Sequence, residues 1–259
     1  MDETSVISKY ITNPLLINGH KFDLRIYVCI TSYEPLRVYV HQEGLARFAS
    51  ETYTQKINKQ NKYMHLTNYS INKKSDKFVQ NSNADQGDEG HKWSIGALNK
   101  HLENMGIDND LLWSKIYDVI LKSFMAVDGC IQQQLKKSNS KNNCFELLGF
   151  DVMVDSDLKP WLLEVNLSPS LACDSPIDLK IKHSLIVDTL NRISIKKFDR
   201  RRDNLNKMKQ RAKNIVRAKS YQSRQATGPG AKGTDKAAQP IGQINETAIN
   251  NNKNAFDKL

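Results

Sequence analysis

The spacing of apolar and polar positions changes several times along the chain, and each spacing marks a kind of element. From 21 to 31 the two alternate: Phe22, Leu24, Ile26, Val28 and Ile30 share one side, and Lys21, Asp23 and Arg25 share the other. Alternation of that length predicts a strand with one face in a core. Tyr33-Glu34-Pro35 reads as a turn, a second strand follows over 36–42, and Gly44 closes it. Residues 1–70 read overall as strands and turns, and the polar stretch 71–90 as a loop. Two helices are predicted next, over 93–105 and 111–137. In the second, Leu112, Ile116, Val119, Ile120, Phe124 and Ile131 keep a helical stripe. Gly106 and Asp108-Asn109 supply a stop and a cap between them. Strands over 144–154 and 161–166 are joined by Asp155-Ser156-Asp157-Leu158, which is turn chemistry. A helix over 181–193 leads into a basic stretch where Leu205, Met208, Ala212 and Ile215 fall at helical spacing. Beyond 224 the chain turns to Gly, Gln, Asn, Ala and Thr, which predicts disorder. No internal repeat is evident.

These elements divide the 259 residues into a body over 1–195, a basic amphipathic helix over 196–224 and a tail over 225–259. Charge follows the same division. The stretch 196–224 carries twelve Lys/Arg against Asp199 and Asp203, so it supplies all of the net +10, while the body, with 22 basic and 23 acidic residues, is near neutral. Such a stretch suits an anionic partner or is a solvated helix with none. Phe198 and Tyr221 are its only aromatic residues, too few for a nucleic-acid stacking surface. No apolar run approaches a membrane span, and no basic-then-apolar stretch at the start suggests a secretory signal. Cys29, Cys130, Cys144 and Cys173 lie far apart, which favours reduced thiols in the cytosol over a disulfide framework or zinc site.

Candidate chemistry gathers in three places. Gly149-Phe150-Asp151 precedes Leu163-Glu164-Val165-Asn166. In a strand Glu164 and Asn166 project to one face. If the turn is the four residues 156–159, Asp151 faces Glu164, and three oxygen-bearing side chains converge as for magnesium. A surface hairpin with one polar face would carry the same pattern. Lys21, Asp23 and Arg25 line one strand face, as a solvated strand also would, and Arg47 adds a cation suited to phosphate or carboxylate. His65, Thr67 and Asn68 offer small polar groups for a ribose, a phosphate or a peptide. No nucleophile–base set, phosphate-loop glycine pattern or kinase H-R-D and D-F-G pair occurs.

In order, Ser-Lys-Tyr-Ile at 8–11, Pro-Leu-Leu-Ile at 14–17, Lys-Phe-Asp-Leu-Arg-Ile-Tyr-Val at 21–28, Gly-Leu-Ala-Arg-Phe at 44–48, His-Leu-Thr-Asn-Tyr-Ser at 65–70, Gly-Phe-Asp at 149–151 and Trp-Leu-Leu-Glu-Val-Asn-Leu-Ser-Pro-Ser at 161–170 resemble the tubulin–tyrosine-ligase-like enzymes, and among them the glutamylases. The resemblance spans about 8–193. It implies an α+β, ATP-grasp-like fold, here from the hinge strand onward without the N-terminal half, and so a stretch expected to be inactive alone. It implies ATP and Mg2+ as cofactors, with Asp151, Glu164 and Asn166 as metal ligands. Lys21, Asp23 and Arg25 would surround the nucleotide and the incoming amino acid, and Arg47 would bind phosphate and carboxylate. His65, Thr67 and Asn68 would lie by the ribose and phosphate, and the backbone of Lys9, Tyr10 and Ile11 by the adenine. Arg25, Arg47 and Glu164 would be catalytic, with Arg25 stabilising the oxyanion.

The implied reaction moves the ATP γ-phosphoryl group to a tubulin-tail glutamate carboxylate. The amine of free glutamate then displaces phosphate from the acylphosphate to form an isopeptide bond. Expected partners are tubulin C-terminal tails, microtubules and free glutamate, with no nucleic acid or membrane, for a monomer of the cytoplasm and cytoskeleton, including cilium or basal body. The alternative is a truncated, non-catalytic microtubule-binding protein. Leu167, directly after Asn166, stands where chain-lengthening members of the family tend to carry histidine, so the resemblance implies initiation of glutamate branches.

Overall fold

A computed structural model describes residues 7–54, 61–137, 144–193 and 200–226. They belong to two compact units, one within 1–195 and one within 196–259.

The first unit is built on one antiparallel sheet. Its strands are β1 (Leu16–Ile17), β2 (His20–Tyr33), β3 (Leu36–Val40), β4 (Leu45–Phe48), β5 (Lys92–Ser94), β6 (Glu146–Val154) and β7 (Pro160–Leu167). The main path runs β5-β4-β2-β6-β7, and β1 and β3 also pair with β2. The alternation that predicts β2 becomes the reason it is central. Phe22, Leu24, Ile26, Val28 and Ile30 enter a core with Leu98 and Leu102 of α3 (Ile95–Asn104) and Leu112, Ile116, Ile120 and Phe124 of α4 (Asn109–Lys137). On the other side Tyr27 packs with Ile177, Ile181 and Leu185 of α5 (Pro176–Ile193). Both faces of β2 are thus covered, and Lys21 and Asp23 are buried rather than solvated. Two single-turn helices, α1 (Lys62–His65) and α2 (Tyr69–Asn72), flank the turn at 66–68.

Three expectations need correction. The helix expected from 93 begins at Ile95, because Trp93 pairs with Ala46 and Lys92 with Arg47, making β5. Ser94 then caps the helix, its hydroxyl accepting from the Ala97 N–H at 3.1 Å. The helix expected from 181 begins at Pro176, where proline costs a helix nothing. The β6–β7 turn is five residues, 155–159, rather than four, since Val154 faces Pro160. A bulge at Leu163 restores the register, so Asp151 still faces Glu164. β4, four residues long, is absent from the sequence reading because so short a run shows no period.

The second unit contains α6 (Arg200–Ala226). Leu205, Met208, Ile215 and Val216 are exposed along it among the basic residues, and Lys207 pairs with Asp203 at 2.6 Å. Residues 196–199 of the expected helix and 227–259 of the tail lie outside the described residues.

Candidate active site

Register alone gathers six of the candidate residues. Residues directly opposite in an antiparallel sheet share a face. Asp23 of β2 is opposite Arg47 of β4, Arg25 is opposite Asp151 of β6, and Asp151 is opposite Glu164 of β7. Gly149 is opposite Asn166. Residues from four adjacent strands therefore form one polar row.

The row is knit by charge. Arg25 donates to both Asp151 oxygens, from Nε at 2.5 Å and Nη2 at 2.9 Å. Arg47 grips Asp23 with Nε at 3.0 Å and with Nη2, which also lies 2.9 Å from Asp151 Oδ2. Burial is the largest single influence on Asp151 and acts to raise its pKa, but Arg25 and Arg47 together hold the carboxyl below the usual range. On Arg47 burial acts downward and is outweighed by Asp23 and Asp151, so the guanidinium stays charged. Gly149 makes room for this pairing. A Cβ there would stand 2.9 Å from Pro169 Cβ and 3.2 Å from Arg25 Cδ.

At the β7 end, the Asn166 amide lies 3.2 Å from Glu164 Oε1, 3.5 Å from Asp151 Oδ2 and 3.2 Å from the Gly149 carbonyl. Turned by half a revolution, the carboxamide would present oxygen to the same point. Among the described residues no group of three His, Cys, Asp or Glu could hold a metal. The donors here are two carboxylates and a carboxamide. That all-oxygen set fits a magnesium ion that takes its remaining ligands from water or phosphate.

Lys21 starts a second cluster on the same face of β2, about 13 Å from Arg25 at strand rise. Its ammonium donates to the His65 carbonyl at 3.0 Å and lies 4.8 Å from the Tyr10 ring centre. Burial pulls the Lys21 pKa down, with Asp23 opposing. The Tyr10 hydroxyl meets His65 Nδ1 at 2.8 Å, and His65 Nε2 is buried without a partner among the described residues. A buried, unpaired ring nitrogen beside a buried ammonium fits a ligand with acceptor oxygens. Thr67 is buried, Lys9 and Asn68 are exposed and Ile11 is half-buried. None of Lys9, Ile11, Thr67 and Asn68 joins the polar row.

Two supports escape the sequence reading. Asn72 fixes the 66–68 turn, its amide donating to the Leu66 carbonyl at 2.7 Å while its oxygen accepts from the N–H and hydroxyl of Ser50. Asp178, at the start of α5, is 1% exposed and holds Lys92 of β5 at 2.6 Å and Lys182 at 3.2 Å. The Asp178–Lys182 spacing of four is visible in sequence, but Lys92 requires the fold. A separate cavity of about 670 Å3 lies against Tyr39, His41, Asp188 and Arg192 and does not include the row.

The model of the family described as "Tubulin-tyrosine ligase family" matches residues 1–203. The chain belongs to the tubulin-tyrosine ligase family. The match continues about ten residues past the resemblance read from motifs, into α6. Tubulin polyglutamylase ttll-5 of Caenorhabditis elegans is 50% identical over 200 residues, covering 76% of this chain and 27% of that protein. Human tubulin polyglutamylase TTLL5 is 50% identical over 190 residues, covering 73% of this chain and 15% of that protein. Mouse tubulin monoglutamylase TTLL4 is 47% identical over 188 residues, 72% of this chain and 16% of that protein. The chain thus spans about a quarter or less of the length of these relatives. The family members it resembles are glutamylases by name, and the fold is a mixed helix and antiparallel sheet arrangement consistent with that family.

Proposed function

We propose that this chain is the phosphate- and metal-handling part of an ATP-dependent tubulin glutamate ligase that joins free glutamate to a tail glutamate by an isopeptide bond. The polar row Arg47–Asp23–Arg25–Asp151–Glu164–Asn166 supports this reading, since it sets cations beside an all-oxygen donor group on one sheet face. When bound, ATP would supply the phosphoryl group that activates the acceptor carboxylate, with ADP leaving, and magnesium would neutralise the phosphate charge. Asp151, Glu164 and Asn166 would hold the metal. Arg47 is fixed by Asp23 and Asp151, so it meets phosphate or carboxylate without reorganising. Arg25, fixed along Asp151, offers its N–H groups to the oxyanion that forms as the amine attacks. Lys21 and His65 meet the nucleotide from the second cluster, and the backbone at Tyr10 lies by the adenine. Such a ligase acts as a monomer on microtubules, in the cytoplasm and cytoskeleton, cilium or basal body included.

Leu167 suggests which acceptor is used. It is 69% exposed, so it does not pack beneath the 168–170 loop. An exposed leucine beside Asn166 offers neither hydrogen bond nor charge to the extra carboxylates of a growing branch. The full-length protein containing this chain should therefore transfer labelled glutamate, with ATP and magnesium, faster to an unmodified tail peptide than to one already bearing a branch glutamate. Leu167→His should narrow the difference. Faster transfer to the branched peptide by the unaltered protein would overturn initiation, and magnesium-independent or absent ATP binding would return the chain to a non-catalytic binder.

The exposed, basic α6 is assigned to the acidic microtubule surface. Exposed charges act over about a Debye length, roughly 8 Å at physiological salt. Deleting 200–226 should weaken co-sedimentation with microtubules severalfold at low salt and little at high salt. An unchanged affinity at low salt would make α6 a solvated helix only.

A further inference from the structure

β7 ends the sheet, and among the described residues no strand pairs with its outer side. The two ends of the sheet are treated differently. β5 is three residues long, which blunts an edge, whereas β7 has eight residues and one charge, Glu164, which belongs to the site. Its Trp161, Leu163, Val165 and Leu167 are 36%, 49%, 39% and 69% exposed. A long, largely apolar edge whose one charge belongs to the site is a template for another strand.

The surroundings say what kind. At the start of β7 a groove of about 490 Å3 opens against α4, lined by Lys115, Lys122, Lys159, Asp118 and Pro160 among others. Three lysines face one aspartate. Lys122, paired with Asp118 at 2.6 Å, keeps 71% of its side-chain exposure, and Lys159 lies 4.0 Å from the Trp161 ring centre. The groove is on the α4 side of the sheet, where Phe124 meets Phe150. Asp151 and Glu164 point to the opposite side.

We propose that the outer edge of β7 docks an extended acidic peptide, which adds as a further strand. Alternate side chains of such a peptide point to opposite faces. One set meets the lysine groove, and the other lies on the face of the polar row. The distance from Pro160 to Asn166 is about 20 Å, so six or so peptide residues bridge the two. A second copy of this chain fits less well, because its own β7 brings a single carboxylate to three lysines. The inference rests on the proposed ligase function in one respect: the peptide is then the segment flanking the acceptor glutamate.

The test uses the whole chain and a glutamate-rich tail peptide of roughly ten residues, long enough for that span. Hydrogen exchange at residues 161–167 is expected to slow severalfold when the peptide is added. Lys122→Glu with Lys159→Glu should weaken peptide binding at least about tenfold at low salt. Leu163→Lys, a charge placed on the edge, should remove the slowing, with circular dichroism verifying the fold of each variant. Peptide binding without slowing at 161–167 overturns the docking edge and leaves the ligase reading standing. Slowing that follows protein concentration rather than peptide assigns the edge to self-pairing and also overturns it. Absence of acidic-peptide binding overturns it as well, and only if glutamate transfer by the full-length protein is absent too does the ligase reading fall.

Discussion

Arg47→Met is expected to cost about 3–5 kcal/mol of folding stability, the usual loss when one partner of a buried ion pair is removed. Asp23 is 2% exposed and Arg47 donates to both of its oxygens, so methionine leaves a buried carboxylate with only the more distant charge of Lys21 to offset it. Asp151 is less affected because Arg25 still holds both of its oxygens. For a unit of nearly 200 residues the loss corresponds to a melting point lower by roughly 6–20 °C. Asp23→Asn in the Arg47→Met background should return part of it, since the poorly compensated charge goes with the carboxylate. Acid adds a second readout. The folded pKa of Asp151 lies below the unfolded value of about 3.9, so its contribution is present above that value and disappears as pH falls through the folded pKa. Asp178 behaves the same way: its burial is outweighed by Lys92, Ser175 and Lys182. Arg47→Met removes one of the two cations acting on Asp151, so the variant should lose less stability than the parent below about pH 4. Thermal and urea denaturation across that range measure both effects. A parent-like stability at neutral pH would show that the Asp23–Arg47 pair is not what orders the row.

Glu164→Gln should lower glutamate transfer by the full-length protein at least roughly a hundredfold, comparable with deleting a principal electrostatic group. The amide keeps the shape of the side chain and its 3.2 Å approach to Asn166, and the site lies at an exposed strand, so the fold should persist. What disappears is one of two negative charges available to magnesium at that end of the row. The discriminating measurement is the magnesium dependence. Half-saturation should move to much higher metal concentration in the variant, whereas a residue of purely structural role would leave it in place. Activity within a few-fold of the parent with an unchanged magnesium profile would remove Glu164 from the metal site.

Much of the candidate site could be read before the fold, for a reason visible at Asp151 and Glu164. Both sit on strands of one hairpin, and a hairpin's register is local, so sequence spacing nearly determines which residues face each other. The pairing even survives an error in turn length, because the bulge at Leu163 absorbs the one-residue difference. The lysine, aspartate and arginine of β2 were equally visible, but their setting was not. The same pattern suits a solvated strand, and only the packing of helices on both sides of β2 makes Lys21 and Asp23 buried.

By itself, then, the sequence determined the long strands, the helices with sustained apolar stripes, the basic character of α6 and the family motifs. Each is encoded by periodicity or order over a short stretch of chain. The tertiary structure alone decided that Arg47 closes on Asp23 and also reaches Asp151, that Lys92 of a three-residue strand meets Asp178, 86 residues away, and that β7 ends the sheet with its edge free among the described residues. Those outcomes depend on which strands become neighbours. Long-range pairing is set by burying the whole core at once, and no local pattern near Arg47, Lys92 or Trp161 records it.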